Sequence, residues 1–303
     1  MFSHGQKCFY TWGFNAFVIR DGCAGDRMEE TILLDGINVN YQVEGKGNEL
    51  LLIHGLGSSH KIWKNTIRAA SRFFKVYAPD LPGFGRSDKP NVPYGVQYYV
   101  DLLGAFMDKF GIGKASIAGA SMGGAIAAAF TATHPDRVVK LVLADATGLT
   151  PLGGVLAGIP PAMGMAYWLV SLDKGLLKMF GEGSFYDRAA IPDEMIEDEW
   201  ANMKDSAYRN ALARNAIDLS RVRADYADAL RSIRAPTLII WGRDDRIMPV
   251  SDAQKYRELI SGSAVVILDK CGHVPAVERS EEFNKALLTF LCEIDLYYAD
   301  DKK

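Results

Sequence analysis

The sequence SIAGASMGGAIAAAFT, residues 116–131, decides the fold of this chain. An apolar, strand-like approach leads into the pentapeptide GASMG at 119–123, and a run of small residues with helical character follows it. A G-x-S-x-G pentapeptide is typical of a sharp strand-to-helix turn that presents a serine hydroxyl at its tip. Such a turn strains the serine backbone and leaves no room for a Cβ two residues before or after it, which explains both glycines. The N–H groups that begin the following helix would stabilise a negative charge forming beside Ser121.

Two other interpretations of this stretch stay open at this point. The pentapeptide also occurs by chance, in turns that are only closely packed. A glycine-rich strand-turn-helix is typical of dinucleotide binding as well, but the G-x-G-x-x-G alignment on Gly119 and Gly124 puts Ser121 where a pyrophosphate needs bare backbone. We therefore disfavour a nucleotide site, and a hydrolytic role requires a base and an acid elsewhere in the chain.

The composition indicates a globular protein without a polyanionic partner. The chain has 303 residues, of which 49% are hydrophobic and 23% charged, and its formal net charge is -3. This length suits one large domain or a domain with an insert, and the charge gives no indication of nucleic-acid binding. The four cysteines are widely spaced, which predicts reduced thiols in a cytoplasmic protein rather than a disulfide framework. We expect no metal and no cofactor, since neither kind of motif occurs.

The first 29 residues show no regular period. An apolar run at residues 8–19 is interrupted by Gly13 and Asn15, and no basic segment or A-x-A site frames it. These features disfavour a signal peptide. We expect residues 1–29 to form a loosely ordered N-terminal extension.

From residue 30 onward, strand and helix patterns alternate. Asp35-Gly36 joins predicted strands at 30–34 and 37–43 and is a strong hairpin signal. Further strands are predicted at short apolar runs, which are residues 49–53, 75–78, 114–118, 138–144, 236–241 and 264–268. Helices are predicted at residues 61–74, 94–110, 251–260 and 280–293, the last with Ser280 as its N-cap. This alternation predicts an α/β protein with a mostly parallel central sheet and helices on both faces.

Polar residues follow the carboxyl ends of the predicted strands. They are residues 54–59 and 80–87, Ser121, Asp145, Asp244-Asp245 and His273. Because ligands of such sheets bind beyond the carboxyl ends of the strands, we expect these residues to surround one crevice. Their agreement in position supports a site more strongly than any single motif does.

A serine nucleophile needs a base that an acid holds in one tautomer. His273 lies in a glycine-containing loop directly after the last predicted strand, which favours it as the base. We expect His54 to order its own loop and His60 to cap a helix. For the acid, spacing favours Asp245 over the adjacent Asp244, which we expect to brace the loop by an ion pair. Asp145 is the alternative because it also ends a strand.

With these residues in place, the chain resembles the α/β-hydrolase superfamily, and in particular its serine esterases. The resemblance is carried by five motifs in the order of that family, namely HGLG at 54–57, D-x-P-G-x-G-x-S at 80–87, G-x-S-x-G at 119–123, W-G-x-x-D-x-x-x-P at 241–249 and G-H at 272–273. It implies that Ser121 is the nucleophile, His273 the general base and acid, and Asp245 the residue that orients the histidine. It also implies an oxyanion hole formed by the backbone N–H groups of Leu56 and Met122.

The resemblance further implies a helical cap inserted after the sixth strand. We predict a hydrolase core at residues 30–146 and 234–303, and a cap at 147–233, where no convincing strand pattern occurs. Residues 148–172 carry no charge, but their prolines and glycines argue against a stable membrane span. We interpret them as an apolar lid over the serine, and the acidic stretch 182–200 as a solvated face.

An apolar lid over this serine predicts hydrolysis of carboxylic esters with a hydrophobic acyl or aryl group through an acyl-serine. Carbon–carbon bond hydrolysis of ring-cleavage dienoates is the alternative, because the chain also resembles those hydrolases, although Ser58-Ser59 and Val274 depart from their pattern. A hydrolase-like protein that binds without catalysis is an alternative of another class. A serine at 121 excludes the dehalogenase and epoxide hydrolase mechanisms, which need a carboxylate nucleophile. The expected partner is a small-molecule ester, and the oligomeric state stays open.

Overall fold

The structure is a computed structural model that describes residues 28–151, 169–219 and 225–293. Within these residues an eight-stranded sheet has the order β1-β2-β4-β3-β5-β6-β7-β8. Its strands are β1 (Met28–Leu34), β2 (Ile37–Glu44), β3 (Asn48–Ile53), β4 (Phe74–Pro79), β5 (Ala115–Ala120), β6 (Val138–Ala144), β7 (Thr237–Gly242) and β8 (Ala264–Leu268). The predicted extension at 1–29 lies almost wholly outside the described residues.

The first two strands form the predicted hairpin. Asp35 and Gly36 at its tip both have positive φ, of 48° and 82°, which matches the twist of a tight hairpin turn. Strand β2 then pairs antiparallel with β4, and the pairs from β4 through β3, β5, β6 and β7 to β8 are all parallel. The prediction of a mostly parallel sheet is confirmed.

Helices lie between the parallel strands and after the last one. They are α1 (Lys64–Ala70), α2 (Val96–Lys109), α3 (Met122–Thr133), α4 (Lys174–Glu182), α5 (Asp193–Asn202), α6 (Ser206–Leu219), α7 (Tyr226–Ser232), α8 (Ser251–Leu259), α9 (Pro275–Glu278) and α10 (Ser280–Leu291). The helix predicted at 61–74 is a 3₁₀ turn, His60–Trp63, followed by the short α1. The predicted N-cap at Ser280 is wrong. Arg279, the single residue between α9 and α10, occupies the N-cap position without a side-chain cap, and Ser280 is already the first residue of α10.

Strand β3 shows why helices are needed on both faces of the sheet. Its four residues 50–53 have no solvent exposure, and alternate side chains point to opposite faces. Leu51 and Ile53 pack in the core that contains α2 and α3, whereas Leu50 and Leu52 pack in the core that contains α1 and α10. A continuous apolar strand is therefore buried on both sides, as parallel sheets require.

The segment between β6 and β7 contributes helices α4 to α7 in its described part, and no strand there. Phe185, Ile191 and Ile196 form a small apolar cluster of their own within it. The assignment of residues 147–233 as a separate cap domain stays a prediction, and most of the charge-free stretch 148–172 lies outside the described residues. Among the helices that the structure describes, none is long and apolar enough to cross a membrane.

Candidate active site

Ser121 occupies the turn between β5 and α3 in a strained conformation. Its φ is 53° and its ψ is -118°, a combination that residues with a side chain rarely adopt. A Cβ on Gly119 would lie 2.2 Å from the carbonyl oxygen of Gly123, and a Cβ on Gly123 would lie 2.2 Å from that of Ile53. The predicted strain at the serine and the predicted need for two glycines are both confirmed.

The structure brings the three predicted side chains together. His273 Nε2 lies 2.9 Å from Ser121 Oγ, and His273 Nδ1 lies 2.7 Å from Asp245 Oδ2. The other carboxyl oxygen of Asp245 accepts hydrogen bonds from the N–H groups of Ile247 (2.7 Å) and Met248 (2.9 Å). Because an ionised carboxylate only accepts, the proton of the neutral imidazole lies on Nδ1, and Nε2 is free to accept the serine proton.

Asp145, the alternative acid, lies beside this group without taking the place of Asp245. It follows β6, is fully buried, and its Oδ1 accepts a hydrogen bond of 2.9 Å from Gly242 N–H. One carboxyl oxygen of Asp145, one of Asp245 and one ring nitrogen of His273 all lie within 4.8 Å of one another. Burial, and then the neighbouring Asp245 carboxylate, raise the pKa of Asp145 well above its usual range. Asp245 accepts hydrogen bonds from three donors, whereas burial and the neighbouring carboxyl favour the protonated form of Asp145.

Two other histidines order the loops beside the site. His54 is fully buried, and its Nε2 accepts a hydrogen bond of 2.9 Å from Leu81 N–H, as the sequence led us to expect. His60 was expected to cap a helix, but Ser59 makes that contact and His60 lies on Asp80 instead, with Nδ1 2.8 Å from Oδ1. Burial opposes ionisation of Asp80, but the hydrogen bond and charge of His60 outweigh it and lower the pKa of Asp80 to about 2.

Glu278 is a residue of the site that sequence reasoning missed. Its Oε1 accepts from Gly272 N–H at 2.9 Å and its Oε2 accepts from Tyr186 N–H at 2.7 Å. His273 N–H in turn donates to the carbonyl of Ser184 at 2.7 Å. Burial raises the pKa of Glu278, although these N–H groups oppose the shift. The carboxyl thus ties the histidine loop to residues between β6 and β7, and the only local signal for it is an acidic residue on the turn of helix after His273.

The two predicted oxyanion donors belong to segments that adjoin Ser121. Met122 is the first residue of α3, so its N–H has no acceptor within the helix. Leu56 belongs to the loop after β3, which touches the serine, since a Cβ on Gly55 would lie 3.6 Å from Ser121 Oγ. Their role as an oxyanion hole stays a prediction.

A cavity of about 200 Å³ opens onto Ser121 and His273. Its wall is mostly apolar and comes largely from the segment between β6 and β7, with side chains that include Val170, Leu177, Phe180, Phe185, Ile191 and Ile196. The polar members of the wall are Ser58, Ser184 and Glu199 beside the serine and the histidine. Among the described residues that line the cavity there is no lysine and no arginine. The acidic stretch 182–200, predicted to be solvated, therefore turns one carboxyl, that of Glu199, inward.

The sheet order and the serine turn between β5 and α3 define an α/β hydrolase. The sequence profile described as "Alpha/beta hydrolase family" matches residues 50–286, which is most of the chain. The chain belongs to the α/β-hydrolase family, as the resemblance of its motifs led us to expect, and it is a hydrolase.

The chain is also similar to individual hydrolases of known sequence or structure. The chain is 30% identical over 275 residues to 2-hydroxy-6-oxo-2,4-heptadienoate hydrolase of Pseudomonas putida, an alignment that covers 87% of the chain and 96% of the relative. Among solved structures, it is similar to a meta-cleavage product hydrolase from Pseudomonas fluorescens, with a TM-score of 0.75, 28% identity, and coverage of 88% of this chain and 98% of that one. It is also similar to a membrane phospholipase A described as a bacterial virulence factor, with a TM-score of 0.74, 31% identity, and coverage of 88% and 86%.

Proposed function

We propose that the chain hydrolyses a bond at an acyl carbon, with Ser121 as nucleophile, His273 as base and acid, and Asp245 as the group that orients the histidine. The observation that carries this proposal is the unbroken hydrogen-bonded chain from Ser121 Oγ through the imidazole to Asp245. A strained turn, a base and a buried carboxylate at hydrogen-bond distance are what nucleophilic catalysis by serine requires.

In this mechanism His273 Nε2 takes the hydroxyl proton as Ser121 Oγ attacks the carbonyl carbon. The oxyanion that forms is stabilised by the N–H groups of Leu56 and Met122, which are fixed before the charge develops. His273 then gives its proton to the leaving group, and an acyl-serine remains. A water molecule, deprotonated by His273, attacks the acyl carbon. The bond from that carbon to Ser121 Oγ then breaks, His273 returns its proton to Ser121 Oγ, and the carboxylic acid is released.

The first candidate for the bond is the carbon–carbon bond of a ring-cleavage dienoate. The names of the relatives support it, because the Pseudomonas putida relative is a dienoate hydrolase and the Pseudomonas fluorescens structure is a meta-cleavage product hydrolase. These comparisons favour carbon–carbon bond hydrolysis, the alternative from the sequence, over ester hydrolysis, which was the first expectation. In that reaction His273 would protonate a carbon leaving group instead of an oxygen.

The second candidate is a carboxylic ester with an apolar acyl or aryl group. The composition of the cavity supports it, because the described part of the wall is mostly apolar and offers no lysine or arginine to pair with the carboxylate of a dienoate. The similarity to a phospholipase A, a class of enzyme that hydrolyses esters, supports it as well.

One experiment separates the two candidates. The purified protein is assayed with 2-hydroxy-6-oxo-6-phenylhexa-2,4-dienoate and with p-nitrophenyl butyrate, beside Ser121→Ala and the surface control Ser232→Ala. A kcat/KM at least about tenfold higher for the dienoate supports carbon–carbon hydrolysis, and the reverse ratio supports ester hydrolysis. Equal rates for Ser121→Ala and wild type would remove the serine from the mechanism. Tight binding without turnover of either compound would support a binding protein instead.

A further inference from the structure

Glu199 is a carboxyl in the wall of an otherwise apolar cavity. It lies on α5, and Tyr208 on α6 donates a hydrogen bond of 2.5 Å to its Oε2. Among the described residues that line the cavity it is the only one with a carboxyl group, and no described lysine, arginine or histidine lies within ion-pair distance of it. The adjacent Asp198, in contrast, pairs with Lys61 at 2.6 Å on the outside. The Glu199 carboxyl is therefore held in place by hydrogen bonds without a cation.

The carboxyl lies close to the reacting serine. A Cβ on Gly57 would lie 3.7 Å from Glu199 Oε1 and 3.8 Å from Tyr208 Oη. Both side chains therefore pack against Gly57. Two residues earlier, Gly55 approaches the serine in the same way, with 3.6 Å between its Cβ position and Ser121 Oγ. Two residues of chain span at most about 7 Å. Because Ser121 and Glu199 line the same cavity, a substrate whose acyl carbon lies at Ser121 can extend along this loop toward Glu199.

A carboxyl at this position costs stability that an apolar side chain would not. Burial raises the pKa of Glu199 to about 7, while hydrogen bonds from Tyr208 and Asn202 oppose the shift. Leu212 and Met203 line the cavity beside it, so an apolar residue would suit the same wall. Carboxyls that lie in an apolar cavity without a cation beside them concentrate at sites where they contact a ligand.

We propose that Glu199, oriented by Tyr208, is a specificity-determining residue that binds a hydroxyl or amino group of the substrate and rejects a carboxylate at the same place. The ionised carboxyl accepts a hydrogen bond from such a group, and the protonated carboxyl donates one to a hydroxyl. A substrate carboxylate there would face a like charge or an apolar wall, without a described cation to pair with it. The inference rests on the proposed function in one respect, since it assumes that the acyl carbon of the substrate lies at Ser121.

The test uses three p-nitrophenyl esters of equal length that differ only at the far end, namely hexanoate, 6-hydroxyhexanoate and the monoester of adipic acid. Their dissociation constants are measured by calorimetry at pH 8 on the Ser121→Ala protein, which does not need to turn them over. Glu199→Leu and Glu199→Gln are introduced into this background. Glu197→Gln, an exposed position on the same helix, is the matched control.

We expect the parent protein, which carries Ser121→Ala alone, to bind the hydroxy ester at least about tenfold more tightly than the carboxylate ester. Glu199→Leu should remove the preference for the hydroxyl and leave hexanoate binding unchanged or tighter. Glu199→Gln should keep the affinity for the hydroxy ester and strengthen binding of the carboxylate ester about tenfold. Glu197→Gln should leave all three dissociation constants unchanged. Equal ratios in the parent and in both Glu199 variants would overturn the inference. Because binding and turnover are measured separately, a wild-type protein that hydrolyses none of the esters contradicts the proposed function alone.

Discussion

Asp145 and Asp245 lie side by side at the ends of neighbouring strands, and only Asp245 is hydrogen-bonded to the imidazole of His273. Two carboxyls so close to each other do not both ionise at low cost. Asp245 receives the N–H groups of two loop residues and the imidazole, whereas Asp145 receives Gly242 N–H alone among the hydrogen bonds of the described residues. Asp245 therefore orients the base, and burial beside it favours the protonated form of Asp145.

The first prediction concerns the identity of the acid. Asp245→Asn should lower kcat by about 10⁴, because an amide no longer holds the imidazole in the tautomer that accepts the serine proton. Asp145→Asn should keep kcat within about tenfold, since an amide resembles the protonated carboxyl. Steady-state kinetics on the better of the two proposed substrates compares them, and a collapse of activity in Asp145→Asn alone would assign the acid to Asp145.

The second prediction concerns stability and pH. The folded protein keeps a proton on Asp145 that the unfolded chain releases above about pH 4, so the stability contributed by this residue falls as the pH rises toward its folded pKa. Asp145→Asn removes that dependence, which amounts to about 1.4 kcal/mol per pH unit for one proton. Urea unfolding of both proteins at pH 5, 6 and 7 measures it. Parallel curves of stability against pH would show that Asp145 is ionised in the fold.

The third prediction concerns the glycine before the serine. Gly119→Ala should destabilise the fold by at least about 3 kcal/mol, because its Cβ would lie 2.2 Å from the backbone oxygen of Gly123, which cannot move without breaking the turn. Gly113→Ala is the matched control, since nothing lies within 4 Å of a Cβ there. Thermal unfolding of the two variants should differ clearly, and similar melting temperatures would contradict the steric argument.

The fourth prediction concerns Glu278. Glu278→Gln should lower kcat about 10- to 100-fold, because a weaker acceptor loosens the loop that carries His273. It should also lower the free energy of unfolding by about 1–3 kcal/mol, through the loss of charge-assisted hydrogen bonds from Gly272 and Tyr186. Glu281→Gln, exposed on the next helix, is the control. Unchanged kcat in Glu278→Gln would show that the loop does not need this carboxyl.

Much of the fold and the central part of the site follow from local patterns. The G-x-S-x-G turn, the hairpin at Asp35-Gly36 and the buried strands are determined by sterics or by apolar runs within a few residues, and the structure has them where they were predicted. Helix ends were predicted less well, as Ser280 and His60 illustrate, because both residues respond to what precedes or packs on them.

The sequence by itself determined that a strained serine ends one strand and that a histidine and two aspartates end others. Only the tertiary structure decided which aspartate is hydrogen-bonded to the histidine, that Glu278 braces its loop, and that Glu199 turns into the cavity. Ser121 and His273 are 152 residues apart in the chain, and Tyr186 and Glu278 are 92 apart. A backbone turn is set by its nearest neighbours, whereas the direction of a carboxyl is set by distant segments that pack around it, and no local spacing records that packing.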